Sequence, residues 1–191
     1  MKKKLFWVVV AVFVLIGTVL IAAWPRYLPM ELSDGDPPPP ALPTWPAQPE
    51  PNFGFVFEFG ICSTDRLDAF KGEFTQDRVV EPSVAIHLRL SDEQMMTVYQ
   101  KMLKINLTQY PETFAVPTPF SGEVAMITPA WHYTLSVENG ESKKLIRWTD
   151  EIVQPTTTEA ERLRELFQMI VNMVREHPDF KRLPELNFGC A

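Results

Sequence analysis

Apolar and polar residues alternate along several stretches of this chain and recur every three to four residues along two others. These two periods divide residues 52–191 into strands and helices. Phe53, Phe55, Phe57 and Phe59 fall on one face of segment 53–61, which predicts a strand with that face buried. A second strand is expected over 67–75, joined to the first through Ser63-Thr64-Asp65-Arg66. Segment 83–90 sets Val84, Ile86, Leu88 and Leu90 against His87 and Arg89 and predicts a third. Further on, Trp131 to Glu138 and Lys143 to Trp148 flank Asn139-Gly140, the preferred centre of a type I′ turn. A hairpin follows from this, with Trp131 and Trp148 near facing positions.

The helical period appears twice. Ser91-Asp92-Glu93-Gln94 is a capping box, in which the serine and the glutamine satisfy orphan backbone donors. It opens a helix to about Ile105 that buries Met95, Val98, Tyr99, Met102 and Ile105. Thr157 or Thr158 caps a second helix over 159–176, with Leu163, Leu166, Phe167, Ile170, Met173 and Val174 as its stripe; Thr158 and Glu161 offer another capping box. The stretch between helix and hairpin, through Pro117, Pro119 and Pro129, reads as irregular. The expected fold is α+β: an antiparallel sheet of about five strands with two helices packed on one face.

Upstream of this domain the pattern changes. Lys2, Lys3 and Lys4 precede 19 uncharged residues, Leu5 to Ala23, with Trp7, Trp24 and Tyr27 near the ends. At about 1.5 Å per residue this run matches a hydrocarbon core of about 30 Å. The lysines place the N-terminus in the cytoplasm. Residues 1–24 are therefore expected to be a transmembrane signal-anchor, contacting the membrane through Leu5 to Ala23. Cleavage after Ala23 is the alternative and would give a secreted protein; the apolar run is longer than an ordinary signal-peptide core. Residues 25–51 hold 10 prolines, a density that forbids helix and favours an extended linker. Residues 52–191 then form a single extracytoplasmic domain.

Charge narrows the partners. The chain carries 18 Lys and Arg against 24 Asp and Glu, a formal −6, all of it contributed by residues 52–191 with 14 against 20. No broad basic surface exists to neutralise a phosphate backbone, so nucleic acid is excluded as an expected partner.

The chemistry-bearing residues are dispersed. Cys62 and Cys190 are the only cysteines, and outside the cytoplasm such a pair invites a disulfide. His87, His132 and His177 lack the spacing that sets two imidazoles on one metal, and the methionines are explained as core filling, so no metal or other cofactor is expected. Asp65, Asp68, Glu73 and Asp77, and Asp150 with Glu151, supply carboxylates without a liganding motif. Trp131, Tyr133 and Trp148, with Phe120 nearby, are either cross-strand structural pairs or an exposed patch that recruits an envelope protein or glycan. The leading expectation is a non-catalytic binding module at the cell envelope. The alternatives are a hydrolase with a site assembled from dispersed acidic and histidine residues, and an accessory subunit of a membrane complex.

Overall fold

A computed structural model of the chain describes residues 44–79, 81–118 and 123–184. The segment Leu5 to Ala23, the greater part of the linker, Phe120 and Cys190 lie outside the described residues. Among the described residues, no helix is long and apolar enough to cross a membrane.

The fold is mixed α+β, with a seven-stranded sheet in place of the five strands expected. Its strands are β1 (Gly54–Gly60), β2 (Asp65–Asp68), β3 (Glu73–Arg78), β4 (Glu81–His87), β5 (Thr113–Phe114), β6 (Ala125–Asn139) and β7 (Ser142–Gln154), in the order β4-β3-β2-β1-β6-β7-β5. The short β5 is parallel to β7; every other pairing is antiparallel. Two helices, α1 (Asp92–Lys104) and α2 (Thr158–Glu176), complete the unit.

Both helices lie on the face that carries the phenylalanine row. Phe167 of α2 meets Phe57 at 5.0 Å and Tyr133 at 4.7 Å between ring centroids, while Tyr99 of α1 meets Phe53 at 4.8 Å. Phe55, Phe57, Leu67, Phe74, Leu135, Val137 and Ile146 are completely buried beneath them. The opposite face, with Arg147, His132 and Thr149, is open to solvent, as the period-two alternation requires. The capping box on α1 is complete: Ser91 Oγ accepts from Gln94 N–H and Gln94 Oε1 accepts from Ser91 N–H. On α2 the cap is Thr157, whose hydroxyl accepts from Ala160 N–H, so the capping box at Thr158 is not used.

Several expectations are corrected. The single strand over 67–75 is two strands, β2 and β3, folded back on each other at Phe70–Gly72. Gly72 takes a φ of +66° there, which turns the chain where a β-branched residue could not. The region through Pro129 is not wholly irregular, because β6 starts at Ala125. The hairpin turn is displaced by one residue: Asn139 pairs with Ser142, so Gly140 and Glu141 are the central residues. Only Gly140 of these has a positive φ (+63°), the pattern of a II′ turn with glycine first. In this register Tyr133, not Trp131, faces Trp148, and Trp131 faces Asp150.

Residues before 52 also pack against the folded unit. Trp45 is buried and stacks on Tyr99, with ring centroids 6.0 Å apart and planes 9° apart. The Tyr99 hydroxyl donates to Pro46 O at 2.6 Å, and the Glu50 N–H donates to Asn139 Oδ1 at 2.8 Å. Asn139 in turn donates from Nδ2 to the Tyr99 oxygen at 3.2 Å. Asn52 and Gly140 exchange two hydrogen bonds, at 2.7 and 2.9 Å. Thr44–Pro51 is thus a strap on the folded unit, tied to the turn end of the β6–β7 hairpin.

Candidate ligand groove at the far end of the long hairpin

The distinguishing feature of the sheet is how far β6 and β7 outrun their neighbours. Pairing of β1 with β6 stops at Gly60 and His132, and pairing of β5 with β7 stops at Trp148. Beyond those points, among the described residues, the two long strands pair only with each other, with a bulge in which four residues of β6 face one of β7 between the pairs Met126–Ile152 and Trp131–Asp150, an excess of three. Met126, Ile127 and Val153 on this extension are about half exposed, at 58%, 48% and 50%. The sheet therefore continues past α2 as a ledge.

Where the ledge meets α2 there is an open depression of about 790 Å³, with Trp131, Tyr133 and Asp150 on the sheet side and Arg164, Gln168 and Asn172 among the helix side chains. Its floor is the end of an aromatic column. Phe57, Tyr133 and Trp131 stack nearly parallel, at 6.0 and 5.8 Å, with interplanar angles of 5° and 4°. Phe57 is buried, whereas Tyr133 and Trp131 are half-buried. Trp148 belongs to the core, in contact with Phe167, and is not part of an exposed patch.

The wall is pinned by Arg164. Its guanidinium donates to both oxygens of Asp150 at 2.6 and 2.7 Å, to Ile152 O at 2.8 Å and to Thr156 Oγ1 at 2.9 Å, and it lies over the Trp148 ring at 5.2 Å. This bidentate pairing raises the affinity of Arg164 for its proton, and fixes α2 against β7. Burial, with the Asp150 charge as a smaller contribution, pushes the Tyr133 hydroxyl up to about 12, so it stays protonated as a donor at physiological pH. One turn apart on the helix, Gln168 donates to Asn172 Oδ1 at 2.8 Å. Glu165, further round the helix, pairs with Lys101 at 2.6 Å, which holds its carboxyl below the usual range.

The other candidate residues are not gathered into this groove. Asp65, at the start of β2, is pushed up to about 6, chiefly by burial and secondarily by the charge of Asp77; an accepted hydrogen bond from Asp77 N–H at 3.0 Å opposes the shift. Asp77 is held below its ordinary value by accepting from Thr64 and Val79 N–H. Asp68 is buried and paired with Arg66 and Lys71, so its role is structural. Glu73 lies exposed on β3, and Glu151 on β7 is half-buried next to Asp150. His87 lies on the solvent side of β4, His132 contacts Thr149 on the open sheet face at 3.1 Å, and His177 ends α2. Among the described residues no group of three or more His, Cys, Asp or Glu is placed to hold a metal ion. There is no free cysteine among them either, so Cys62 is not a free thiol.

Arg164 was missed in the sequence. Its position on the flank of an amphipathic helix is visible there, but the choice of Asp150 as partner depends on the hairpin register. No protein-family model matches the chain, and no curated protein shows significant similarity to it.

Proposed function

We propose that this chain is a membrane-tethered, extracytoplasmic binding module whose ligand site is the groove between α2 and the β6–β7 ledge. The carrying observation is the half-buried Trp131, which ends the aromatic column in an open depression of mixed polar and apolar lining. The tether part of the reading rests on the sequence from Leu5 to Ala23 and on the lysines before it. A disulfide between Cys62 and Cys190 belongs to the same reading, since it would tie down the C-terminus in an oxidising compartment.

Two measurements test it. Intact mass of the protein extracted from membranes without reductant should correspond to an unprocessed N-terminus and rise by about 2 Da on reduction, one hydrogen per sulfur; loss of about 23 residues defeats the tether. Full-length protein in detergent micelles should cosediment with isolated envelope material, and Trp131→Ala should abolish this. Cosedimentation indifferent to that substitution would remove the groove from the reading.

A second reading, a hydrolase, is favoured by one observation: a carboxyl at Asp65 titrating near 6 is the kind of group that general acid catalysis uses. Hydrolysis of an envelope polymer by the full chain, lost in Asp65→Asn while binding persists, would establish it.

A further inference from the structure

We infer that the groove takes a neutral saccharide chain, an inference that rests on the binding-module reading above and names the chemistry of its ligand. The charges at the Trp131 end of the groove are already matched. Arg164, the cation in the lining, commits four N–H donors to Asp150, Ile152 and Thr156, which leaves it poorly placed to meet a phosphate or carboxylate of an anionic polymer. Asp150 is occupied on both oxygens by the same guanidinium, and Glu165 is held by Lys101, so beside Trp131 a cationic segment would have to break existing pairs; Glu176, three turns along α2, is the lining carboxylate that no ion pair engages among the described residues.

What is left unspent beside Trp131 is uncharged. Trp131 supplies a flat apolar surface at the end of a rigid column, suited to the C–H face of a pyranose ring. Gln168 and Asn172 satisfy each other once, which leaves one amide with acceptor capacity and the other with donor capacity on an exposed helix face. Donor and acceptor beside a ring-sized apolar plate match a hydroxyl-bearing ring, whereas an apolar peptide anchor would need an enclosed pocket and this groove is open. The length of the depression along α2, reaching Met173 and Glu176 two to three turns beyond Arg164, suits several linked rings in place of one.

The test is a titration of the full chain in detergent micelles with an N-acetylglucosamine tetramer and with maltotetraose, read by tryptophan fluorescence and by calorimetry. Saturable binding of at least one is expected. It should weaken at least tenfold in Trp131→Ala and about threefold in Gln168→Ala or Asn172→Ala, two exposed positions whose substitution leaves the core untouched. Oligolysine and a poly(glycerol phosphate) serve as the charged comparators. Saturation by a charged comparator that depends on Trp131, with neither sugar binding, overturns the saccharide inference and leaves the binding module standing. Absence of any Trp131-dependent binding, with Gln168→Ala and Asn172→Ala equally silent, overturns both.

Discussion

At the scale of single residues, Asp65 and Arg164 show how environment decides what a charged side chain does. Asp65 has its folded pKa raised from 3.8 to about 6, so folding disfavours its ionised form. The stability that this carboxyl contributes is fully present below about pH 4 and is lost as the pH climbs through 6. The loss is on the order of 1–2 kcal/mol once partial exposure is allowed for. Asp65→Asn retains an acceptor for Asp77 N–H and cannot ionise; its melting temperature should therefore fall less than that of the wild type between pH 4 and 7. Parallel melting curves across that range would show that Asp65 is not perturbed. Arg164 behaves oppositely, because its charge is wanted. Arg164→Lys loses the fork that grips both Asp150 oxygens and should destabilise the protein by about 1–2 kcal/mol in denaturant unfolding. Arg164→Ala, which strands a largely buried Asp150 carboxylate, should cost more, about 3 kcal/mol. Equal losses for the two would mean that the fork geometry is unimportant.

At the scale of elements, local chemistry was legible and pairing was not. The first helix could be read to within a residue because its cap is written in consecutive residues, Ser91 to Gln94, and Ser91→Ala should cost about 1 kcal/mol with no change in binding. The phenylalanine row declared its buried face for the same reason. The hairpin shows the limit. Asn139-Gly140 marks a turn, but Asn139 is 3% exposed and its side chain is engaged by Glu50 and Tyr99, so the turn shifts to Gly140-Glu141. That one-residue displacement moves the partner of Trp148 from Trp131 to Tyr133, and leaves Trp131 opposite Asp150 at the groove. Likewise the break at Gly72 splits an expected strand because the polar residues of 67–75 alternate well enough to hide a turn. Asn139→Ala removes both of these hydrogen bonds and should destabilise the protein by about 2 kcal/mol, measured by urea unfolding. A change below about 0.5 kcal/mol would mean that the strap docks without it.

At the scale of the whole molecule, the strap and the groove occupy opposite ends of the same strands. Trp131 lies eight residues from Asn139 on β6, about 27 Å at the rise of an antiparallel strand. The described chain therefore enters the folded unit at one end and offers its candidate site at the other. The strap was invisible in the sequence because proline-rich composition argues for a linker and says nothing about where docking begins. A protein beginning at Asn52 should melt several degrees below one beginning at Thr44, since burial of Trp45 is worth about 3 kcal/mol. Identical melting would place Thr44–Pro51 outside the folded unit.

The same arrangement has a mechanical side. A ligand fixed at the ledge and a stalk fixed behind Trp45 would pull β6 toward Ala125 and β1 toward Gly54. These strands are antiparallel neighbours joined through seven register pairs, from Gly54–Glu138 to Gly60–His132. Tension between the two ends thus drags the strands along their length in opposite directions, loading their hydrogen bonds together in shear, where a peeling geometry would load them one by one. Before that ladder is strained, the load passes through the Trp45–Tyr99 stack and the Glu50–Asn139 bond. Under the proposed tether the strap is the part that would yield first under traction, and its release would add Thr44–Pro51 to the segment that precedes the folded unit.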